Sequence, residues 1–141
     1  MRSERVYWID RSLGTKLVPD ALRAHGVSIE TYDDLYPTDP RVPDEQWIVD
    51  VTARGWIIVT KDKNIRRAPA ELAALHRAEA RYVCLSAAGM RGPDQAACLV
   101  HHWKTIDGLV GHRSPPLIVT VTRTRVQWLD GTTWRKCKHK R

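Results

Sequence analysis

The chain has 141 residues, 43% of them apolar and 28% charged, and 23 Lys and Arg against 16 Asp and Glu give a net charge of +7. These are the proportions of a globular protein, and the length suits one domain with a single packed core, which excludes disordered and fibrous classes. No apolar stretch approaches the ~18 residues of a membrane span, and Met1-Arg2-Ser3-Glu4-Arg5 has no apolar leader run, so the expected setting is cytoplasmic with no membrane partner.

The first strand is expected over about 5–10, Arg5-Val6-Tyr7-Trp8-Ile9-Asp10. A helix over about 13–25 follows, with Leu13, Leu17, Ala21 and Leu22 at helical spacing and Gly26 as its stop; Pro19 marks either a later start or a kink. Val27 to Tyr32 alternates with period two, as a half-exposed edge strand does. The stretch from Asp33 to Pro43 holds Pro37, Pro40 and Pro43 and reads as a loop too proline-rich for regular structure. Asp44 to Arg54 reads as a helix with Trp47, Ile48 and Val51 on its apolar face and Gly55 as its stop. Trp56 to Thr60 is a continuous apolar run suited to the middle of a parallel sheet.

A helix over 70–80, the strand Arg81-Tyr82-Val83-Cys84-Leu85 and a longer helix from Pro93 to about Val110 come next. Leu117 to Leu129, rich in Val, Ile, Thr and Trp, is either one long strand or a bent pair. Helices alternating with strands predict an α/β fold, a three-layer α/β/α sandwich with a mostly parallel central sheet and right-handed crossovers. The last eleven residues, Gly131 to Arg141, carry Arg135, Lys136, Lys138, Lys140 and Arg141 and no acid. Without those five bases the rest of the chain is close to neutral. The division is therefore a domain over 1–130 and a basic C-terminal tail over 131–141, which either contacts phosphate backbone beside Trp134 or only solubilises the chain.

Cys84, Cys98 and Cys137 are odd in number and widely spaced, which fits a reducing compartment and no disulfide framework. His101 and His102 are adjacent, so their side chains should diverge on a helix as solvated residues, and no zinc spacing is present. There is no Gly-rich phosphate loop, no dinucleotide fingerprint, no nucleophile elbow and no His-Glu-x-x-His, which removes support for ATP hydrolysis, nicotinamide redox chemistry and zinc proteolysis. A phosphoacceptor receiver would show an acidic pair after its first strand, where Asp10 is instead followed by Arg11 and Ser12.

The chemistry-bearing residues are acids where apolar runs meet polar loops: Asp10, Asp44 with Glu45, and Asp62. If the first and third strands are parallel neighbours, their carboxyl ends share the sheet edge where open α/β folds bind ligands. Each acid also has a plain structural reading: Asp10 and Asp62 can open turns, and Asp44 can cap its helix with Glu45 favoured by the dipole. Positions 44, 47, 48 and 51 share a helix face, which turns Asp44 toward the sheet. Gathered carboxylates repel one another unless a cation joins them, and Mg²⁺ or Mn²⁺ takes such hard oxygen ligands while keeping several waters. A cation so held activates water against a phosphodiester, and Arg11, Lys61, Lys63, Arg66 and Arg67 would then hold substrate phosphates.

Tyr7-Trp8-Ile9-Asp10, the helix and strand after it, Pro43-Asp44-Glu45-Gln46-Trp47-Ile48 and Ile58-Val59-Thr60-Lys61-Asp62-Lys63-Asn64 together resemble a compact PIN-like domain of the kind found in VapC-type toxins. The resemblance covers about residues 5–67 by motif and the remainder by element order. It implies a Mg²⁺- or Mn²⁺-dependent endoribonuclease, the toxin of a toxin–antitoxin pair, cleaving single-stranded or loop RNA with a metal-activated water and blocked by a cognate antitoxin protein. Carried over by position, Asp10 and Asp62 would be metal ligands and Asp44 or Glu45 the acid from the helix. Thr60 or Asn64 would position a ligand or water. The family often has another acid where this chain has Asn64, whose amide oxygen can bind a metal without adding charge. Asp94 and Asp107 are candidate replacements that their spacing does not single out. This departure keeps open a non-catalytic PIN-like module that binds RNA or an antitoxin. Among the bases, Arg135, Lys136 and Lys138 join the others as RNA contacts, and Trp103, Trp128 and Trp134 are candidate anchors for an antitoxin or a homodimer mate.

Overall fold

A computed structural model describes residues 5–61, 68–130 and 136–138. Asp62, Lys63, Asn64, Arg66, Arg67, Trp134 and Arg135 lie outside the described residues, as do Lys140 and Arg141. Seven strands form one sheet: β1 (Val6–Ile9), β2 (Ser28–Thr31), β3 (Ile57–Lys61), β4 (Arg81–Leu85), β5 (Leu117–Val121), β6 (Val126–Asp130) and β7 (Lys136–Lys138), in the order β2-β1-β3-β4-β5-β6-β7. The first five are mutually parallel, whereas β6 and β7 are antiparallel to their neighbours. The α/β expectation with a mostly parallel sheet holds, β2 is the edge strand, and β3 lies inside the sheet.

Alternation along the strands divides the core into two layers. Tyr7, Ile9, Ile57, Val59, Val83, Leu85 and Val119 face helices α1 (Leu17–Ala24) and α5 (Gly92–His112). Trp8, Ile58, Tyr82, Cys84 and Ile118 face α3 (Asp44–Ala53) and α4 (Pro69–Ala78), with Tyr32 from the short α2 (Tyr32–Leu35). Trp8 and Trp47 pack at 5.0 Å between ring centroids and are almost wholly buried, so truncating either to Ala would cost about 3–5 kcal/mol. Trp103 belongs to the first layer, edge-on to Tyr7 at 4.6 Å, and is a core residue rather than an exposed anchor. Trp128 is half-buried under the Arg113 guanidinium, 4.0 Å from its ring centre.

Local chemistry explains where the elements differ from the sequence expectation. Leu13 belongs to a separate 3-10 turn (Arg11–Leu13) and α1 begins at Leu17, so Pro19 sits in a first turn, where its missing N–H costs nothing. The expected loop opens with α2, because Thr31 and Asp34 form a reciprocal capping box outweighing the prolines that follow. Gly26 and Gly55, at φ +90° and +78°, end α1 and α3 as expected, whereas α4 ends at Glu79, a non-glycine at φ +56°. Leu117 to Leu129 is a bent pair, β5 and β6. Part of the segment read as a basic tail pairs with β6 as β7.

Candidate functional site at the carboxyl edge of the sheet

Each helix that follows a parallel strand starts at the carboxyl edge of the sheet, and so does a helix leading back into one. The edge therefore collects the ends of β1 and β3 and the first turns of α3 and α4. Asp10 follows β1, its amide donating to the Val59 carbonyl at 2.9 Å, so the ladder carries the residue to the edge. Its backbone follows Trp8 on the layer of α3 and α4, and the residue is only 4% exposed.

Two hydroxyls hold the carboxylate. Ser12 Oγ donates to Asp10 Oδ2 at 2.8 Å and Thr60 Oγ1 donates to the same oxygen at 2.9 Å. The two hydroxyl oxygens are 3.0 Å apart, but each has one proton, and with both directed at Asp10 that contact is a close approach rather than a third hydrogen bond. Ser12 Oγ also accepts from the Lys61 amide at 3.0 Å, which locks the turn after β1 to the end of β3. This carboxylate is a buried, oriented group, not a loose turn residue.

Asp44 is the first residue of α3, and Pro43 occupies the capping position, so capping does not explain it. The half-buried Asp44 carboxylate accepts the buried Trp47 indole N–H at 3.0 Å, while Glu45 is exposed. Tyr82 lies on β4, below the same edge. Burial drives its hydroxyl well above the ordinary tyrosine range, and Cys84 and the carboxylates of Glu71, Asp10 and Asp44 push the same way. Asp10 follows β1, Asp44 stands in the first turn of α3 and Glu71 in that of α4, so three elements bring acids to this edge. Among the described residues, no three His, Cys, Asp or Glu form a group that could hold a metal.

Of the expected metal set, Asp10 and Asp44 are brought to one side of one edge, and Asp62 and Asn64 lie outside the described residues. Arg11 is exposed but donates to the Pro40 carbonyl at 2.9 Å and lies 5.2 Å from the centre of the Tyr32 ring, so it also ties down the proline loop. Lys61 is half-buried at the end of β3. Lys63, Arg66, Arg67 and Arg135 are outside the described residues, and Lys136 and Lys138 lie in β7. Asp107 is removed from the list of replacement acids: it stands beside the start of β1, at the other edge, gripped by Arg5. Sequence reading missed Ser12, Tyr82 and Glu71. The available signal for Glu71 was its place in the first turn of the helix after β3.

The family model described as "PIN like domain" matches residues 6–87, which span β1 through β4 and include all of these edge residues. The chain is 35% identical over 92 residues to a Mycobacterium tuberculosis protein named "Putative ribonuclease VapC45", covering 64% of this chain and 67% of that protein. No solved structure is significantly similar to it. The family match takes in more than half of the chain and agrees with the fold and with that relative: the chain belongs to the PIN-like domain family, as a VapC-type PIN domain.

Proposed function

We propose that the protein is a Mg²⁺- or Mn²⁺-dependent endoribonuclease, the toxin of a toxin–antitoxin pair, that hydrolyses single-stranded or loop RNA in the cytoplasm. The carrying observation is the buried Asp10 carboxylate, oriented by Ser12 and Thr60 on the side of the sheet to which α3 brings Asp44. The donors are hard oxygens, with neither imidazole nor thiolate among the proposed ligands, which fits Mg²⁺ or Mn²⁺ and not zinc. Asp10, Asp44 and Asp62 would hold the ion, with Asn64 as a neutral ligand and Glu45, in its exposed position, as an accessory acid. When bound, such an ion supplies a water of lowered pKa and offsets charge developing on the phosphoryl oxygens.

The chain's own residues do the rest. Ser12 and Thr60 fix one Asp10 oxygen and so aim the other lone pairs of the group. Lys61 and Arg11 flank that position from β3 and the turn after β1, with Lys63, Arg66 and Arg67 next in sequence, and these bases would hold phosphates on either side of the scissile bond. The domain would span 1–130, with the bases of 131–141, Arg135, Lys136 and Lys138 among them, adding backbone contacts. A cognate antitoxin would block the edge, and a homodimer is the proposed assembly.

The test is cleavage of mixed RNA by purified, partner-free protein with Mg²⁺ or Mn²⁺, beside Asp10→Asn and Asp62→Asn. Cleavage by the wild type alone, with all three folded, is expected. Asn64, in place of an acid, favours a second reading, an RNA- or antitoxin-binding module without catalysis. Wild-type protein that binds RNA but cuts none with either metal would select that reading.

A further inference from the structure

Beyond Val121 the chain reverses through Thr122, Arg123, Thr124 and Arg125 into β6, outside the residues that the family match covers. The Thr122 amide donates to the Arg125 carbonyl at 2.8 Å and closes the turn, and all four residues are exposed. Two side chains of α5, one helical turn apart, pin it. Cys98 Sγ donates to the Thr122 carbonyl at 3.5 Å, and His102 Nε2 lies 3.0 Å from the Arg123 carbonyl. A carbonyl only accepts, so that nitrogen carries a proton. The neighbouring His101 ring does not diverge from His102 as the sequence suggested. The two meet edge-on at 4.7 Å because this anchoring draws His102 toward the turn.

Between the turn and α5 lies a groove of about 220 Å³ lined by Asp94, Ala97, Cys98, His101 and Arg123. Asp94, Cys98 and His101 follow one helix stripe, giving a carboxylate, a small apolar floor and an exposed imidazole in sequence. The groove is smaller than the roughly 300–1,000 Å³ of sites for drug-sized ligands, and suits one nucleotide unit. Because β5 is parallel to β4, the turn opens on the same carboxyl edge as Asp10. The end of β5 stands three strand spacings from that of β1, roughly 14 Å at about 4.8 Å per strand, and the groove lies on the α5 side of the sheet, opposite the layer of α3 and α4. An RNA strand that crosses the edge from the Asp10 end toward α5 would reach it within a few nucleotides.

We propose that this groove is a nucleotide subsite for the RNA strand, in which Arg123 and Arg125 hold backbone phosphate and Asp94 accepts from the amino group of a base resting on Ala97 and Cys98. The inference rests on the ribonuclease reading of the edge. A guanidinium grips phosphate oxygens bidentately, and a turn already fixed to α5 loses little freedom when it does so. The acid at the other end argues against a bare anion or an acidic peptide as occupant, since either would be repelled there, whereas a nucleotide offers an anionic phosphate and a base with N–H donors. His101 adds a ring on which a base can stack.

The experiment measures fluorescence anisotropy of labelled oligo(A), oligo(C) and oligo(U) with the full chain in EDTA, across a salt series. The double variant Arg123→Ala/Arg125→Ala should weaken all three by roughly tenfold or more at low salt and flatten the slope by about 1.4, two phosphates at about 0.7 each on a single strand. Asp94→Asn should weaken oligo(A) and oligo(C) and spare oligo(U), which has no amino group. Unchanged affinity and slope in the double variant overturns the subsite, and a uniform gain with Asp94→Asn overturns the base contact. Because binding is read without metal or turnover, the two readings separate. Groove-dependent binding by a chain that never cuts RNA sinks the nuclease alone, and cleavage by a chain whose groove variants bind like wild type sinks the subsite alone.

Discussion

Two aspartates at opposite edges of the same sheet show how one side chain is set to different uses. At the amino edge, Asp107 of α5 takes Arg5 Nε and Nη2 at 3.0 and 2.9 Å as a bidentate pair and also accepts the Tyr7 hydroxyl. The guanidinium holds its carboxyl below the ordinary carboxylate range. At the carboxyl edge, Asp10 is far more buried, and its described side-chain partners are the hydroxyls of Ser12 and Thr60. A guanidinium neutralises a carboxylate and spends both oxygens, whereas hydroxyls orient it and add no charge. The first arrangement joins α5 to β1; the second fixes the Asp10 carboxylate at the carboxyl edge and ties the turn after β1 to the end of β3.

Exchanging the two acids for amides is the sharpest way to break that contrast. Asp10→Asn should reduce metal-dependent RNA cleavage by more than the roughly 10–100-fold typical of groups that only support a metal ligand, with a small change in Tm. Asp107→Asn should leave cleavage per folded molecule unchanged and cost about 1–2 kcal/mol in chemical denaturation, at the low end for charged hydrogen bonds because the pair is 32% and 36% exposed. Equal effects of the two on activity would erase the distinction. A middle-sized effect belongs to the hydroxyls: Thr60→Val should lower cleavage roughly 10–100-fold, and Ser12→Ala comparably, while metal-free RNA binding stays within a factor of two or so of wild type.

Much of this was legible in the chain because the signals are local. Apolar runs ending in Asp10 and beside Thr60, the face shared by Asp44, Trp47, Ile48 and Val51, and the glycine stops at 26 and 55 each depend on neighbours within a turn or two. What escaped depends on through-space pairing. Ser12 acquires its role only when β1 and β3 are adjacent, with position 12 reaching position 60. Glu71 joins the edge through the packing of α4 on α3, and Tyr82 lies below the same edge because β4 lies beside β3. Asp107 illustrates the reverse: in sequence it was a candidate replacement acid, and only the tertiary contact with Arg5 assigns it to the opposite edge. The capping box at Thr31 and Asp34 was local and readable, but the prolines after it dominated the reading of that stretch.

The smallest effect tests the amino edge by pH. Asp107 has a folded-state pKa below the ordinary aspartate value near 3.9, chiefly through its hydrogen bond to Arg5, with the Tyr7 hydroxyl and the Arg5 charge acting in the same direction against the opposing effect of burial. A depressed carboxyl contributes stability that is fully present above the unfolded pKa and is lost as pH falls through the folded one. The Arg5 partner, whose own pKa is raised, stays charged throughout this range and adds no slope. Denaturation midpoints of wild type and Asp107→Asn should therefore differ by a constant amount from pH 7 down to about 5 and converge below about 4, because protonation makes the wild-type group resemble the amide. A gap that stays constant to pH 3 would mean that Asp107 acts through shape and not charge, and the contrast between the two edges would then be one of packing.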